Sequence, residues 1–366
     1  MELVNMSKTF CFLAFCALSG SAVAQTLING GYTSPAIDRW MYPFAGTPGA
    51  ESSASIFRTP SDATISGAPA FDDRDAEFLL IFNTSSLVPT GKGYGTYDVS
   101  SLRVRVFTSN EPRFAYDPTF DSVTTCYATT DAQYTADTDA GKPIELFAAG
   151  FRSGAQLGTW AENSAFAPTG VPGFLEGVRR VYPALLSASG TPTTDVSNQV
   201  RDRFEATPLS IGTTTAVPAG ELVPQGSEFV FDIDLTSPAA KAYFARGFDQ
   251  GRVAVIISGL HLAAGGPGGG VGDATYPAFY TKENITAVTL GLESKLNFSV
   301  TIGNVIDFNN NTVFPEDQDV IDFFNVLAGA ECETCRTIDV NGNGVFPEDQ
   351  DVIDFFTILA GGPCCN

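Results

Sequence analysis

Residues 306–329 read IDFNNNTVFPEDQDVIDFFNVLAG, and residues 338–361 read IDVNGNGVFPEDQDVIDFFTILAG. The offset is 32 throughout, and the run VFPEDQDVIDFF is identical in both copies. Each copy opens on a polar loop with Asp or Asn at alternate positions: Asp307, Asn309 and Asn311, then Asp339, Asn341 and Asn343. Phe314-Pro315 and Phe346-Pro347 then open a helix, because proline suits a first helical turn and the acids Glu316, Asp317 and Asp319 oppose the helix dipole. Val320, Phe323, Phe324 and Leu327 follow at i, i+3, i+4 and i+7, an apolar stripe. Gly329 and Gly361 supply the stops. Neither helix can bury its Phe pair alone, whereas two packed face to face can. Residues 305–366 are therefore expected to form a two-helix module of their own.

Oxygen side chains at loop positions 1, 3 and 5 before a helix form the pattern of a calcium loop. Position 7 ligates through its main-chain carbonyl, which places Val313 and Val345 in the set. The duplicated loop-helix resembles a type I dockerin, of the divergent kind that ends in a Gly-Cys tail (LAGAEC and LAGGPC). The resemblance implies an EF-hand-like pair of loops ordered by calcium, and a duplicated surface that binds a cohesin-like partner. It also implies partner contact at loop positions 10 and 11, here Glu316-Asp317 and Glu348-Asp349. The departures are specific. Position 6 is Gly344 in the second copy but Thr312 in the first, and position 12 carries Gln318 and Gln350 instead of an acid. Asp319 and Asp351 stand one residue later and are the expected acidic ligands of a longer loop. Asn in place of Asp at position 5 implies weaker calcium binding. The competing reading is that the Asx residues form only turns and caps.

The N-terminus supplies the compartment. Lys8 precedes the apolar run Phe10 to Leu18, and Ala22-Val23-Ala24 gives a small-residue site. This is the pattern of a cleavable secretory signal over residues 1–24. The run is too short to span a bilayer, and no later segment reaches that length. Cys11 and Cys16 leave with the signal, and five cysteines remain. Cys126 reads as a buried, unpaired thiol. Cys332, Cys335, Cys364 and Cys365 fall in the last 35 residues and are disulfide candidates with three possible connectivities. Bonds crossing between the 332/335 and 364/365 groups are expected ahead of a vicinal Cys364–Cys365 bond.

Charge and histidine content prune the functional classes. The 366 residues hold 41 Asp+Glu against 20 Lys+Arg, a net charge of −21, which argues against a nucleic-acid surface. A single histidine, His261, excludes multi-histidine zinc sites and leaves one residue for any Ser-His or Cys-His pair. Carboxylate chemistry such as glycoside hydrolysis survives this test.

Residues 25–304 show short alternating or apolar runs between Gly, Pro, Asp and Ser clusters. Strands are expected at Ala76–Asn83, Leu102–Thr108, Pro143–Phe151, Glu228–Leu235, Arg252–Ser258 and Ala287–Leu292, with a helix at Pro238–Arg246 capped by Ser237. Several strands are too apolar to be half solvated, which predicts two packed sheets. Asp38-Arg39-Trp40, AEFLLIFNTSSLVP from Ala76 and VSSLRV from Val99 resemble the DNRLRE-type module of secreted and cell-wall proteins. So do Phe151-Arg152, Trp160-Ala161-Glu162-Asn163 and Thr281-Lys282-Glu283-Asn284. That resemblance implies a jelly-roll-like antiparallel β-sandwich in a mainly β chain, with structural or carbohydrate-associated roles. Asp72-Asp73-Arg74-Asp75 reads as a solvated turn, the Gly-rich run 265–272 as a sandwich loop, and His261 as structural. Trp40, Tyr42 and Phe44 read as a strand-edge core cluster rather than a sugar platform.

These observations lead to a secreted, non-enzymatic protein. Its sandwich would bind or scaffold, and carbohydrate is one candidate ligand. Its tail would attach to a partner or cell surface with the help of Ca2+. The alternatives are a dockerin-bearing glycoside hydrolase or lyase that uses sandwich carboxylates, and a tail that merely caps the fold.

Overall fold

The computed structural model describes residues 26–360 except 44, 46, 59–74, 169–178, 264–274, 304–305, 312, 314 and 342–343. The expected signal peptide, Asp72 to Arg74, the Gly-rich run, Phe44, Asn343, Cys364 and Cys365 lie outside the described residues. The strands in chain order are β1 (Thr26–Tyr32), β2 (Ile37–Met41), β3 (Ser53–Ser55), β4 (Glu77–Asn83), β5 (Tyr97–Phe107), β6 (Ile144–Phe151) and β7 (Val181–Leu186). They continue with β8 (Pro192–Asp195), β9 (Ser210–Ile211), β10 (Glu228–Asp232), β11 (Arg252–Gly259), β12 (Ala278–Tyr280) and β13 (Lys295–Ile302). The helices are α1 (Gln199–Asp202), α2 (Pro238–Asp249), α3 (Ile285–Leu290), α4 (Asp317–Leu327) and α5 (Asp349–Leu359). The protein is mainly β, and every pairing between these strands is antiparallel.

One sheet has the order β1-β13-β5-β10, and a larger one has β2-β4-β11-β6-β7-β8 with β9 beside β6. Val99, Leu102, Val104, Phe229, Phe231, Leu296 and Phe298 of the first share one apolar cluster with Phe78, Leu80, Phe82, Leu146, Val253 and Val255 of the second. The sheets therefore pack face to face. In β5 the outward residues are polar, and Arg103 pairs with Asp232 at 2.6 Å in solvent. At Ser100 the β5–β13 register shifts by one residue, which lets both Val99 and Leu102 point inward.

The alternate residues of β4 and β11 explain their unbroken hydrophobicity. Leu79, Ile81, Ala254 and Ile256 form a second cluster on the outer face of the larger sheet, under Trp160, Leu157 and Phe166. Residues 155–166 thus lie across that face. Arg252 holds them there by donating from Nη1 to the carbonyls of Leu157 (2.9 Å) and Trp160 (3.0 Å).

Helix α2 runs three residues beyond the expected end, and Ser237 Oγ accepts from Ala240 N as a cap. One expectation fails in type. The apolar stretch 285–290 is helix α3, not a strand. Asn284 Oδ1 accepts from Thr286 N and Ala287 N, and Gly291 at φ 68° closes the far end, so caps override the β preference of Ile, Val and Thr. The closing strand is β13, at the centre of the smaller sheet.

In the tail, α4 and α5 bury one ring each. Phe323 and Phe355 stack at 4.1 Å with 3° between planes, and Phe308 packs edge-on against both. Phe324 and Phe356 remain exposed, against the expectation that both rings of each pair are buried. The disulfide expectation is also corrected. Cys332 bonds to Cys335, a separation of three residues, and closes the turn after α4 without crossing to the chain's end. Cys126 is free and buried, as expected.

The fold buries charge at the start of β4 and β6. Glu77 accepts from Arg58 Nη1 at 2.6 Å and from Arg179 Nη1, all three side chains being fully buried. Asp75 is buried too and its carbonyl accepts from Arg179, so the solvated-turn reading fails at that residue. Burial pushes the neighbouring Glu145 carboxyl up from 4.5 to about 8, against the opposing pull of Arg58. The folded chain then holds a proton that the unfolded chain releases. This contribution to stability is complete below about pH 4.5, and it is lost as pH rises through about 8. Glu145→Gln is expected to flatten the decline of stability across that window, measured by denaturant unfolding as a function of pH.

Candidate functional site

The two loops before α4 and α5 gather the carboxylates and amides that the sequence singles out. Asp307, Asp319, Asp339 and Asp351 are all buried. Asp319 Oδ1 accepts from Phe308 N (2.8 Å) and Asn309 N (3.4 Å), and its Oδ2 accepts from Glu316 N (3.2 Å). Asp351 repeats this with Val340 N at 2.9 Å and Glu348 N at 3.3 Å. These are reciprocal caps, because Glu316 and Glu348 in turn accept from the backbone of Asp319 and Asp351. Burial pushes the Asp319 and Asp351 carboxyls up and the backbone N–H donors oppose it. The acids expected to be loop ligands therefore also cap the helices.

The glutamates expected at a partner surface turn toward the loop. Glu316 Oε1 accepts from Asn309 Nδ2 at 3.3 Å and from Asn311 Nδ2. Glu348 Oε1 accepts from Asn341 Nδ2 at 3.0 Å. Asp317 and Asp349 are exposed on the first turns. The side chains of Val313 and Val345 are exposed, and Val313 N donates to Asn311 Oδ1 at 2.7 Å. Gly344 sits at φ 81°, the left-handed turn that position 6 requires.

The loops also meet the β domain. Tyr94 donates its hydroxyl to Asp339 Oδ2 at 3.1 Å, and Gly344 N donates to the same oxygen at 2.9 Å. Asp339 Oδ1 is buried and has no hydrogen-bond donor among the described residues. A buried carboxylate oxygen without a donor is costly in isolation and suits a cation. Arg336, the one base from Ile306 onward, donates to Gly95 O (2.9 Å), Asp307 O (2.9 Å) and Asn310 Oδ1 (3.2 Å). It joins the first loop to the sandwich, beside an open groove of about 850 Å3 lined by Tyr94, Tyr97, Lys241 and Phe346.

Two carboxylate clusters in the β domain went unread in the sequence. Asp117, Asp121 and Asp139 converge, as do Asp38, Glu162 and Glu283. Each has a lysine. Lys142 Nζ lies 2.9 Å from Asp121 and 2.5 Å from Asp137, and Lys282 Nζ lies 2.8 Å from Asp38 and also bonds Glu162. Asp38 is fully buried, and both of its carboxylate oxygens are engaged by Lys282. His261 is buried against Phe114, and burial drives it down to about 3, so it stays neutral near pH 7. Cys126 Sγ donates to Leu260 O at 3.3 Å, and burial pushes that thiol up to about 11. Trp40 packs on Tyr42 and donates to Ser55 O, as a core cluster would.

Comparison with protein-family models, curated proteins and solved structures returned no match to this chain.

Both acids of each capping box cap, but Glu316→Gln keeps an acceptor oxygen whereas an Asp→Ala change removes one. Asp319→Ala or Asp351→Ala is expected to destabilise the calcium-free tail by about 1–2 kcal/mol, and Glu316→Gln by less than about 0.5. Thermal unfolding of the full chain in a chelator, followed by helix circular dichroism, measures both.

Proposed function

We propose that this chain is an exported, non-enzymatic protein whose β domain is the binding or scaffolding part. Its duplicated tail is a dockerin-like, calcium-ordered attachment module. The observation that carries the tail reading is Asp339 Oδ1, a buried carboxylate oxygen without a donor among the described residues, at the first position of an oxygen-rich loop. Asp307, Asn309, Asn311 and the Val313 carbonyl would hold one Ca2+, and Asp339, Asn341, Asn343 and the Val345 carbonyl the other. Asp319 and Asp351 are the acids expected to complete the sets, with Glu316 and Glu348 turned toward the same loops; all four already accept from the backbone as caps. A divalent cation also relieves repulsion in a segment with 12 acids and one base.

The attachment surface on this reading is the outer side of α4 and α5. Ile321, Phe324, Ile353 and Phe356 are exposed there, and Phe324 and Phe356 lie 5.9 Å apart. Asp317, Asp322, Asp349 and Asp354 stand on the same two helices. A cohesin-like or cell-surface protein with an apolar patch rimmed by Lys and Arg matches that chemistry. For the β domain, two antiparallel sheets around one core support a jelly-roll-like, DNRLRE-type module.

Calorimetric titration of the full chain with calcium tests the tail reading. Binding with Kd at or below about 10⁻³ M, accompanied by a gain in helix signal, is expected. Absence of heat at millimolar calcium contradicts it.

A further inference from the structure

Arg39, on β2, is the one fully buried arginine among the described residues that lacks a carboxylate. The other two, Arg58 and Arg179, both close on Glu77. Arg39 is 1% exposed, its guanidinium lies over the Trp160 ring at 5.1 Å, and Nη1 donates to Ser164 O. Its Nε is buried with no acceptor among the described residues. A guanidinium carries five N–H donors, and a buried charge without a counter-ion is expensive. Burial with no opposing charge pulls its pKa from 12.5 down to about 10. The adjacent Asp38 and the groove's Glu162 are both engaged by Lys282.

Arg39 also lines a groove. With Thr47, Glu162, Asn163, Ser164 and Phe166 it bounds about 470 Å3 between residues 47–50 and residues 162–166. That volume lies in the range of small-molecule sites. A planar guanidinium recognises a planar carboxylate through two parallel N–H···O bonds. Thr47, Asn163 and Ser164 offer hydroxyl and amide groups for a ligand's hydroxyls, and Phe166 offers a ring face.

We propose that this groove binds the carboxylate of a sugar acid, with Arg39 as its counter-ion. The inference rests on the reading of the β domain as the binding part and is independent of calcium in the tail. The test is calorimetric titration of the full chain with D-glucuronate, with D-glucose and inorganic phosphate as separate arms. Glucuronate is expected to bind at least tenfold more tightly than either. Ala165→Trp, which fills the groove from an exposed position, is expected to weaken glucuronate at least tenfold while leaving the thermal midpoint unchanged. Arg39→Lys is expected to weaken it as well, since an ammonium cannot make the bidentate pair. Equal binding of glucose and glucuronate overturns the inference but leaves a sugar-binding β domain. Equal or tighter phosphate, no binding in any arm, or an unaffected Ala165→Trp overturns it too.

Discussion

Strands β4 and β11 carry apolar side chains on both faces, and covering those two faces organises the β domain. The inner face meets the smaller sheet and α2 in one core. The outer face needs a second cover, which residues 155–166 supply through Trp160, Leu157 and Phe166. Burying Leu79, Ile81, Ala254 and Ile256 fully is worth roughly 1.5–3 kcal/mol for each large side chain. The same cover brings Glu162 and Ser164 over Arg39, so the groove follows from how the sheet is sealed.

The tail solves a different problem. It has a small apolar cluster around Phe308, Phe323 and Phe355 and a heavy load of acid. Capping takes up part of that acid, since Asp319 and Asp351 accept backbone N–H groups. Arg336 adds the segment's one positive charge beside Asp307 and Asp319 and ties the tail to Gly95. Tyr94 reaches Asp339 from the sandwich, so the second loop's first residue is held from both modules. Metal binding on this account strengthens a contact between the two parts of the chain as well as a loop.

The legible features were those with a local cause. The repeat and its helices are written in 24-residue stretches that copy one another, although Pro315 and Pro347 stand just before the caps Glu316 and Glu348 and not in the first helical turn. AEFLLIFN and RVAVIIS are legible as doubly covered strands because their hydrophobicity has no gap. β1 is hard to read because TLINGGY mixes polar residues into both positions of the period, whereas β13, KLNFSVTI, alternates strictly and its pattern is legible as a strand with one buried face. Ala287–Leu292 looked like a strand because the cap Asn284 lies outside the run, while Gly291 within it is the helix stop. The capping role of Asp319 needs a backbone loop that returns eleven residues, which spacing alone does not reveal. Arg39 carries no signature of its own in the sequence, since an arginine without a counter-ion among the described residues becomes visible only once its neighbours are folded around it.

The central claim is that the duplicated loops are two calcium sites. Equilibrium dialysis of the full chain against radioactive calcium tests it most directly by counting ions. The account predicts two per chain at saturation, falling to one in Asp339→Ala and to none when Asp307→Ala is added. No bound calcium, or binding indifferent to both substitutions, contradicts it.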